Sequence, residues 1–239
     1  MIIVYNPAFS GTAKKVSGAL GGSRLVPYGT LHGLPMPDMR GAFHLAYPDY
    51  QPAHPAYRAV RRLFVAGKAE QRQLLSPFFP VPSFNAPYSG KVVTRPMQHT
   101  RGIGMNVCDL EDVDFGAVGY IAPLIERALE LRVVFVRGEP VIVYQRRRED
   151  GNQNVPWNIA HGALASKVEL DQAMKTYAGF FRDFERAYKI FPFDLVGIDI
   201  AIRDDGSYVL LEINFAPGTR AVDGIAEAIA AQITKGGMF

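Results

Sequence analysis

The alternation of apolar and polar positions is clearest between Leu195 and Gly218, where two apolar runs flank Asp205-Gly206. An Asp-Gly pair between alternating apolar runs predicts a β-hairpin with a tight turn. If that pair forms a two-residue turn, counting outward from it places Asp199 directly opposite Glu212. The two-residue side-chain period then puts Asn214 on the same face of the hairpin.

Two carboxylates that face each other inside apolar strands repel unless a positive group lies between them. With Asn214, they offer the oxygen ligands that magnesium prefers. The alternative is a solvated hairpin face with two exposed acids, and the residues alone leave both open. Without metal, we expect Glu212→Gln to relieve repulsion with Asp199, so that the metal-free variant is no less stable than the wild type.

The rest of the pattern alternates short strands with amphipathic helices. A Ser-X-X-Glu capping box is expected to open a helix that carries an aromatic stripe and stops near Phe191-Pro192. Residues 28–56 show no clear period. The predicted strands are 1–5, 24–27, 91–94, 131–136 and 141–144, and the predicted helices are 12–20, 56–64, 68–75, the helix opened by the box at 166–169, and 222–234.

Composition excludes several classes of protein. The chain has 239 residues, 48% of them hydrophobic and 21% charged, with a net charge of +3, which is ordinary for a globular protein. No apolar run is long enough for a membrane span, and the N-terminus shows no signal peptide, so we expect a cytoplasmic protein without membrane contact. The lone Cys108 excludes an intrachain disulfide and fits a reducing compartment.

A glycine-bearing loop follows the predicted strand 91–94, from Arg95 to Gly104. Small residues such as Gly102 and Gly104 let the backbone approach phosphate oxygens, and a nearby cation would neutralise them. An ordinary turn is the alternative. The three consecutive arginines at 146–148 indicate either a solvated strand end or a nucleic-acid patch. The weak net charge and the lack of a recognisable module do not favour nucleic acid.

The hairpin resembles the metal-binding hairpin of the ATP-grasp ligases, whose pattern is Gly-X-Asp, a turn, and Glu-X-Asn-X-X-Pro-Gly. Here it is formed by Gly197, Asp199, Glu212, Asn214, Pro217 and Gly218. The resemblance covers roughly residues 60–235 in the family's order: lysine helix, phosphate loop, hinge, polar loop, helix and metal hairpin. The chain is similar to the ribosomal-protein glutamate ligases, with Arg95 in place of the phosphate-loop lysine, a departure that keeps the charge.

The resemblance implies a role for each matching residue. Magnesium, with manganese as an alternative, would be held by Asp199, Glu212 and Asn214. Residues implied in chemistry are Arg95, Arg132 and Arg220. Residues implied in ATP binding are Lys68, Arg95, Gly102, Gly104, the hinge residues Pro123 and Leu124, Glu130 at the ribose, and Asn158.

The resemblance also implies an α+β, ATP-grasp fold in which two α+β subdomains hold the nucleotide. The expected division is a reduced N-terminal α/β subdomain over 1–60, a lid subdomain over 61–125 and a metal-binding subdomain over 126–239. The implied activity is ATP-dependent joining of a small-molecule or peptide carboxylate to an amine through an acyl phosphate. The alternative is a non-catalytic ATP-binding or regulatory module of the same fold.

Overall fold

The helices and strands predicted from the sequence are present, and the structure adds strands at 43–45, 106–109, 120–123 and 164–168. The computed structural model describes residues 2–5, 10–27, 43–45, 55–82, 90–95, 104–153, 155, 157, 162–215, 217–218 and 222–235. Its strands are β1 (Ile2–Tyr5), β2 (Arg24–Pro27), β3 (Phe43–Leu45), β4 (Lys91–Arg95), β5 (Asn106–Asp109), β6 (Tyr120–Pro123), β7 (Leu129–Val136), β8 (Glu139–Arg147), β9 (Leu164–Val168), β10 (Leu195–Ile202) and β11 (Tyr208–Asn214). Its helices are α1 (Ser10–Ala19), α2 (Pro55–Val65), α3 (Lys68–Leu75), α4 (Leu170–Thr176), α5 (Ala178–Tyr188) and α6 (Ile225–Lys235), with a short 3-10 turn at Leu110–Asp112.

The described strands form three sheets. β1 lies between β2 and β3 in a parallel sheet, and β4 lies between β5 and β6 in an antiparallel one. The largest sheet is antiparallel, with the strand order β11-β10-β7-β8-β9. β10 and β7, in the middle of that sheet, are almost wholly buried. The mixture of helices and antiparallel sheets confirms the predicted α+β class.

Both faces of the five-stranded sheet carry a hydrophobic core. On one face, Phe135 stacks on Phe184 of α5 with a centroid distance of 3.5 Å, and residues of α2, α3 and α5 complete the cluster. On the other face, Val134, Val136 and Tyr144 pack with residues of α1 and α6. The predicted boundary at residues 60–61 remains a prediction, although α2 and α3 share a core with the sheet of the 126–239 region.

The hairpin of β10 and β11 has the predicted Asp199–Glu212 pairing but a different turn. The loop has three residues, 204–206, because Arg203 N–H donates to Ser207 O at 2.9 Å. Gly206 takes φ +79°, the left-handed conformation that such a loop requires at its last position. Ile200 pairs with Leu210 while Asp199 pairs with Glu212, so Leu211 is a one-residue β-bulge that restores the predicted register.

The predicted capping box at residues 166–169 is wrong. Ser166 and Lys167 lie in strand β9, where they pair with Gln145 and Tyr144 of β8. The helix begins one turn later, with Glu169 as an N-cap that makes no side-chain capping bond, and Tyr177 interrupts it between α4 and α5. Pairing with an existing sheet edge therefore prevailed over a local capping signal.

Candidate active site

Charged residues cluster on the face of the five-stranded sheet that also packs against α1 and α6. Arg132 of β7 lies directly across from Asp199 of β10, and Asp199 lies across from Glu212 of β11. On the other side, Glu130 of β7 lies across from Arg146 of β8. Directly opposed residues point to the same face, so four neighbouring strands contribute to one cluster.

Glu212 forms the edge of this cluster. Its Oε2 lies 2.6 Å from Lys68 Nζ, and its Oε1 lies 3.7 Å from Arg132 Nη2. Asn214 Nδ2 donates to Glu212 Oε1 at 2.8 Å. Arg132 in turn donates from Nε and Nη2 to the two oxygens of Asp199 in a bidentate pair. A cation therefore lies between the two carboxylates that the sequence placed opposite each other.

Arg146 and Arg127 complete the cluster on its inner side. Arg146 Nη2 lies 3.0 Å from Asp199 Oδ2 and 3.1 Å from Glu130 Oε2. Arg127 Nε lies 2.8 Å from Glu130 Oε1, and its guanidinium carbon is 4.6 Å from the ring centre of the buried Trp157. Four cations thus alternate with three carboxylates, which leaves one positive charge in excess.

Burial and pairing act in opposite directions on these groups. Burial alone would raise the pKa of Glu212, but Lys68 and Arg132 hold that pKa well below its ordinary value. For Glu130, burial prevails over the attraction of Arg146 and Arg127, so its pKa is raised. Burial opposes the charge of Arg132, yet Asp199 keeps the pKa of that guanidinium far above neutral pH. Arg132 and Glu212 accordingly remain charged at neutral pH.

A metal would find its oxygen donors on the β11 side of the cluster. Glu212 and Asn214 are adjacent there, and a carboxylate oxygen can accept more than one partner. Both oxygens of Asp199 already accept from Arg132, so metal binding to Asp199 would have to share or displace that pair. Within the described residues, no group of three His, Cys, Asp or Glu side chains is arranged as a metal site. Asp199, Glu212 and Asn214 lie close together, as the sequence predicts. Their role as metal ligands remains a prediction.

Gly197 explains why the hairpin and the segment after it stay together. A Cβ added to Gly197 would lie 2.8 Å from Cβ of Pro217, closer than real side chains approach. The absence of a side chain lets the Pro217-Gly218 segment pass over β10 beside Asn214, with which Gly197 pairs. The Gly-X-Asp and Pro-Gly parts of the motif are therefore one packing unit.

Other predicted residues are placed only in part. Pro123 ends β6, and the N–H of Leu124 donates to Lys91 O at 3.0 Å, so that hinge donor is already paired. Arg95 ends β4, and Gly104 takes φ +74°. Gly102, Asn158 and Arg220 lie outside the described residues. The roles predicted for these residues stay predictions.

Arg146 and Arg127 are members of the cluster that the sequence interpretation missed. The solvated strand end expected for residues 146–148 is wrong for Arg146, which is only 9% exposed and paired with two acids. Alternation along β8 could have indicated this, since Tyr144 and Arg146 share a face that meets Arg132 and Glu130. Arg127 lies in a loop, where the sequence offers no comparable signal.

Comparisons with known proteins agree with this geometry. A family model described as a RimK-like ATP-grasp domain matches residues 119–235, which include Glu130, Arg132, Arg146 and the metal hairpin. The resemblance seen in the hairpin motif is thereby confirmed, while Lys68, Arg95, Gly102 and Gly104 lie before the matched range.

Solved structures with a similar fold cover nearly the whole chain. The ATP-grasp ligase PsnB, solved with a precursor variant, Mg and ADP, is 14% identical with a TM-score of 0.63 over 98% of this chain and 97% of its own. A Chryseobacterium gregarium RiPP-associated ATP-grasp ligase, solved with ADP and leader and core peptides, is also 14% identical, with a TM-score of 0.60 over 98% and 96%. The ATP-grasp fold is therefore shown.

One curated relative is similar in sequence. A probable alpha-L-glutamate ligase of Pasteurella multocida (strain Pm70) is 28% identical over 183 residues, which are 72% of this chain and 56% of that protein. The chain thus spans little more than half the length of this relative. In the described part of the chain, no helix is long and apolar enough to cross a membrane.

Proposed function

We propose that this ATP-grasp protein is an ATP-dependent carboxylate–amine ligase that acts through an acyl phosphate. The observation that carries the proposal is the alternating cluster on one face of the five-stranded sheet, with its one excess positive charge. Phosphoryl transfer needs charge neutralisation and alignment more than it needs a general acid or base. A cluster rich in fixed arginines supports that type of chemistry.

The arginines would supply most of the charge neutralisation. Arg132 is fixed by its bidentate bond to Asp199, and Arg146 is fixed between Asp199 and Glu130. Groups that are already oriented need little rearrangement when negative charge develops on a transferred phosphoryl group. Arg95 and Arg220 would add charge from the phosphate loop and from the segment after the hairpin, as the resemblance implies.

Glu212 and Asn214, joined by Asp199, would hold magnesium. When bound there, the metal would supply positive charge that neutralises the phosphates of ATP. Lys68 lies at 2.6 Å from Glu212, so a cation already occupies one side of this carboxylate. Manganese has similar ligand preferences and would be an alternative ion.

The substrates we propose are an amino-acid or peptide carboxylate and an amine. Support comes from the relatives: one is a probable alpha-L-glutamate ligase, and two solved ATP-grasp ligases are complexed with peptide precursors. The sequence predicted the broader class of a small-molecule or peptide carboxylate and an amine. Neither a nucleic acid nor a membrane is part of the proposal.

A non-catalytic ATP-binding module is the second candidate, because one observation favours it. Both oxygens of Asp199 accept from Arg132, which leaves this predicted metal ligand engaged within the protein. If that pair is permanent, nucleotide could bind without productive metal coordination.

A screen for ATP consumption separates the two candidates. Purified protein is incubated with Mg-ATP and pools of amino acids and short peptides, and products are detected by mass, with Arg132→Met as the matched inactive control. Formation of ADP together with a condensed product, absent from the control, supports the ligase. Nucleotide binding without ADP formation in any pool supports the binding module and contradicts the ligase.

A further inference from the structure

The bulge at Leu211 decides which face of β11 carries Glu212. From the turn to Ile200, β10 and β11 pair in a register that matches Ile200 with Leu210. If this register continued, Leu211 would lie across from Asp199, and Glu212 would lie across from Ile198 in the hydrophobic core. A slip of one residue moves a side chain to the other face of a sheet. The extra residue therefore brings Glu212 to the charged face.

A bulge disrupts the ladder and leaves its residue without a strand partner. Here the carbonyl of Leu211 accepts a hydrogen bond at 2.8 Å from Nε of Arg72, a residue of α3 that is only 4% exposed. Leu210, which precedes the bulge, is also held from outside the sheet, since its N–H donates to Pro80 O at 2.8 Å. β11 is an edge strand, so residues 72–80 fasten it from outside the sheet.

Helix α3 also contacts Glu212, the carboxylate that the bulge brings to the charged face. Lys68 lies one turn before Arg72 on α3, where residues four apart share a helix face. Its Nζ contacts Glu212 at 2.6 Å, while Arg72 contacts the neighbouring Leu211 carbonyl. One face of α3 thus touches two consecutive residues of β11, the bulge and the carboxylate.

We propose that Arg72 is a positioning residue that stabilises the Leu211 bulge and so keeps Glu212 opposite Asp199. Its consequence for metal and nucleotide rests on the proposed function above, but its structural effect does not. In this proposal Arg72 acts through the backbone of β11, by its hydrogen bond to the Leu211 carbonyl.

Two uncharged variants isolate the hydrogen bond from the charge. Arg72→Gln places an amide nitrogen at the same bond count from the backbone as Nε, so the donor is retained. Arg72→Met has a similar length and no donor. Gln71→Met is the matched control, since Gln71 is also buried in α3 and donates at 3.1 Å to Leu63 O, away from β11.

Amide hydrogen exchange of the 208–215 segment, measured without nucleotide, tests the structural part. We expect exchange about tenfold or more faster in Arg72→Met, with Arg72→Gln and Gln71→Met close to wild type, because the side-chain donor to the Leu211 carbonyl is lost only in the first. The Mg²⁺ concentration that gives half-maximal stabilisation by Mg-ATP should rise in the same order. Equal exchange in Arg72→Met and Arg72→Gln would overturn the proposal.

The two proposals fail in different ways. A wild type that Mg-ATP does not stabilise contradicts the proposed function, and the exchange rates still decide the role of Arg72. If Arg72→Met does not fold, the substitution can be tested in a variant that lacks Leu211. Without the extra residue, a regular ladder places Glu212 opposite Asp199, so Arg72→Met should be folded and nearly harmless in that background. An equal loss of stability with and without Leu211 would overturn the proposal.

Discussion

Lys68 Nζ lies 2.6 Å from Glu212 Oε2, although 144 residues separate the two in the chain. The contact joins the start of α3 to the strand that carries the metal motif. It also changes the electrostatics expected from the sequence, because Glu212 has Lys68 on one side and Arg132 on the other. The expected effect of Glu212→Gln on stability changes with it.

Glu212→Gln is expected to make the metal-free protein less stable at pH 7, by about 1–3 kcal/mol, since two cations lose a charged partner. This reverses the expectation from the sequence, which considered only the repulsion between Glu212 and Asp199. Urea unfolding in the presence of a chelator measures the change, with the exposed Glu126→Gln as control.

The same variant should show a characteristic pH dependence. The pKa of Glu212 is held below its unfolded value of 4.5, so its contribution to stability is present above about that pH and is lost as pH falls further. The stability gap between wild type and Glu212→Gln should therefore shrink as the pH is lowered from 7 to about 3.5. A gap that stays constant over this range would show that Glu212 is not stabilised by its cations.

Asp199→Asn should be more damaging than Glu212→Gln. Asp199 is nearly inaccessible and neutralises both Arg132 and Arg146, so its loss leaves buried guanidinium groups with too little negative charge. We expect a loss of about 3–5 kcal/mol in the free energy of unfolding. Arg186→Gln, which breaks an exposed pair with Asp183, should cost less than about 1 kcal/mol. Similar costs for the two variants would contradict the buried network.

Much of this site could be predicted because it follows from short-range patterns. The two-residue period and the Asp-Gly turn predicted the correct Asp199–Glu212 pairing. The pairing is correct because two differences cancel: the turn is one residue longer than expected, and the Leu211 bulge shifts the register back by one. Two of the cations could not be predicted in the same way. Lys68 and Arg127 reach the carboxylates through tertiary packing, and no local period encodes those distances.

Gly197→Ala tests whether the motif is one packing unit. Its added Cβ would meet the Pro217 ring at 2.8 Å, so we expect a loss of about 1–3 kcal/mol from overpacking. Gly218→Ala is the matched control from the same motif, since a Cβ there meets no atom of the described residues within 4 Å, and it should change stability by less than about 0.5 kcal/mol. Chemical denaturation of both variants gives the comparison. Equal stabilities would mean that Pro217 is free to move away from β10.

The charged face is proposed to bind Mg-ATP through Glu212. A melting series tests this binding most directly. Wild type and Glu212→Gln are melted with a chelator, with ATP and chelator, and with saturating Mg-ATP. The wild type should gain about 2–3 kcal/mol of stability from Mg-ATP at a hundredfold excess over its dissociation constant, and the variant should gain clearly less. A variant that gains as much from Mg-ATP as the wild type would contradict the metal assignment and the catalytic account built on it.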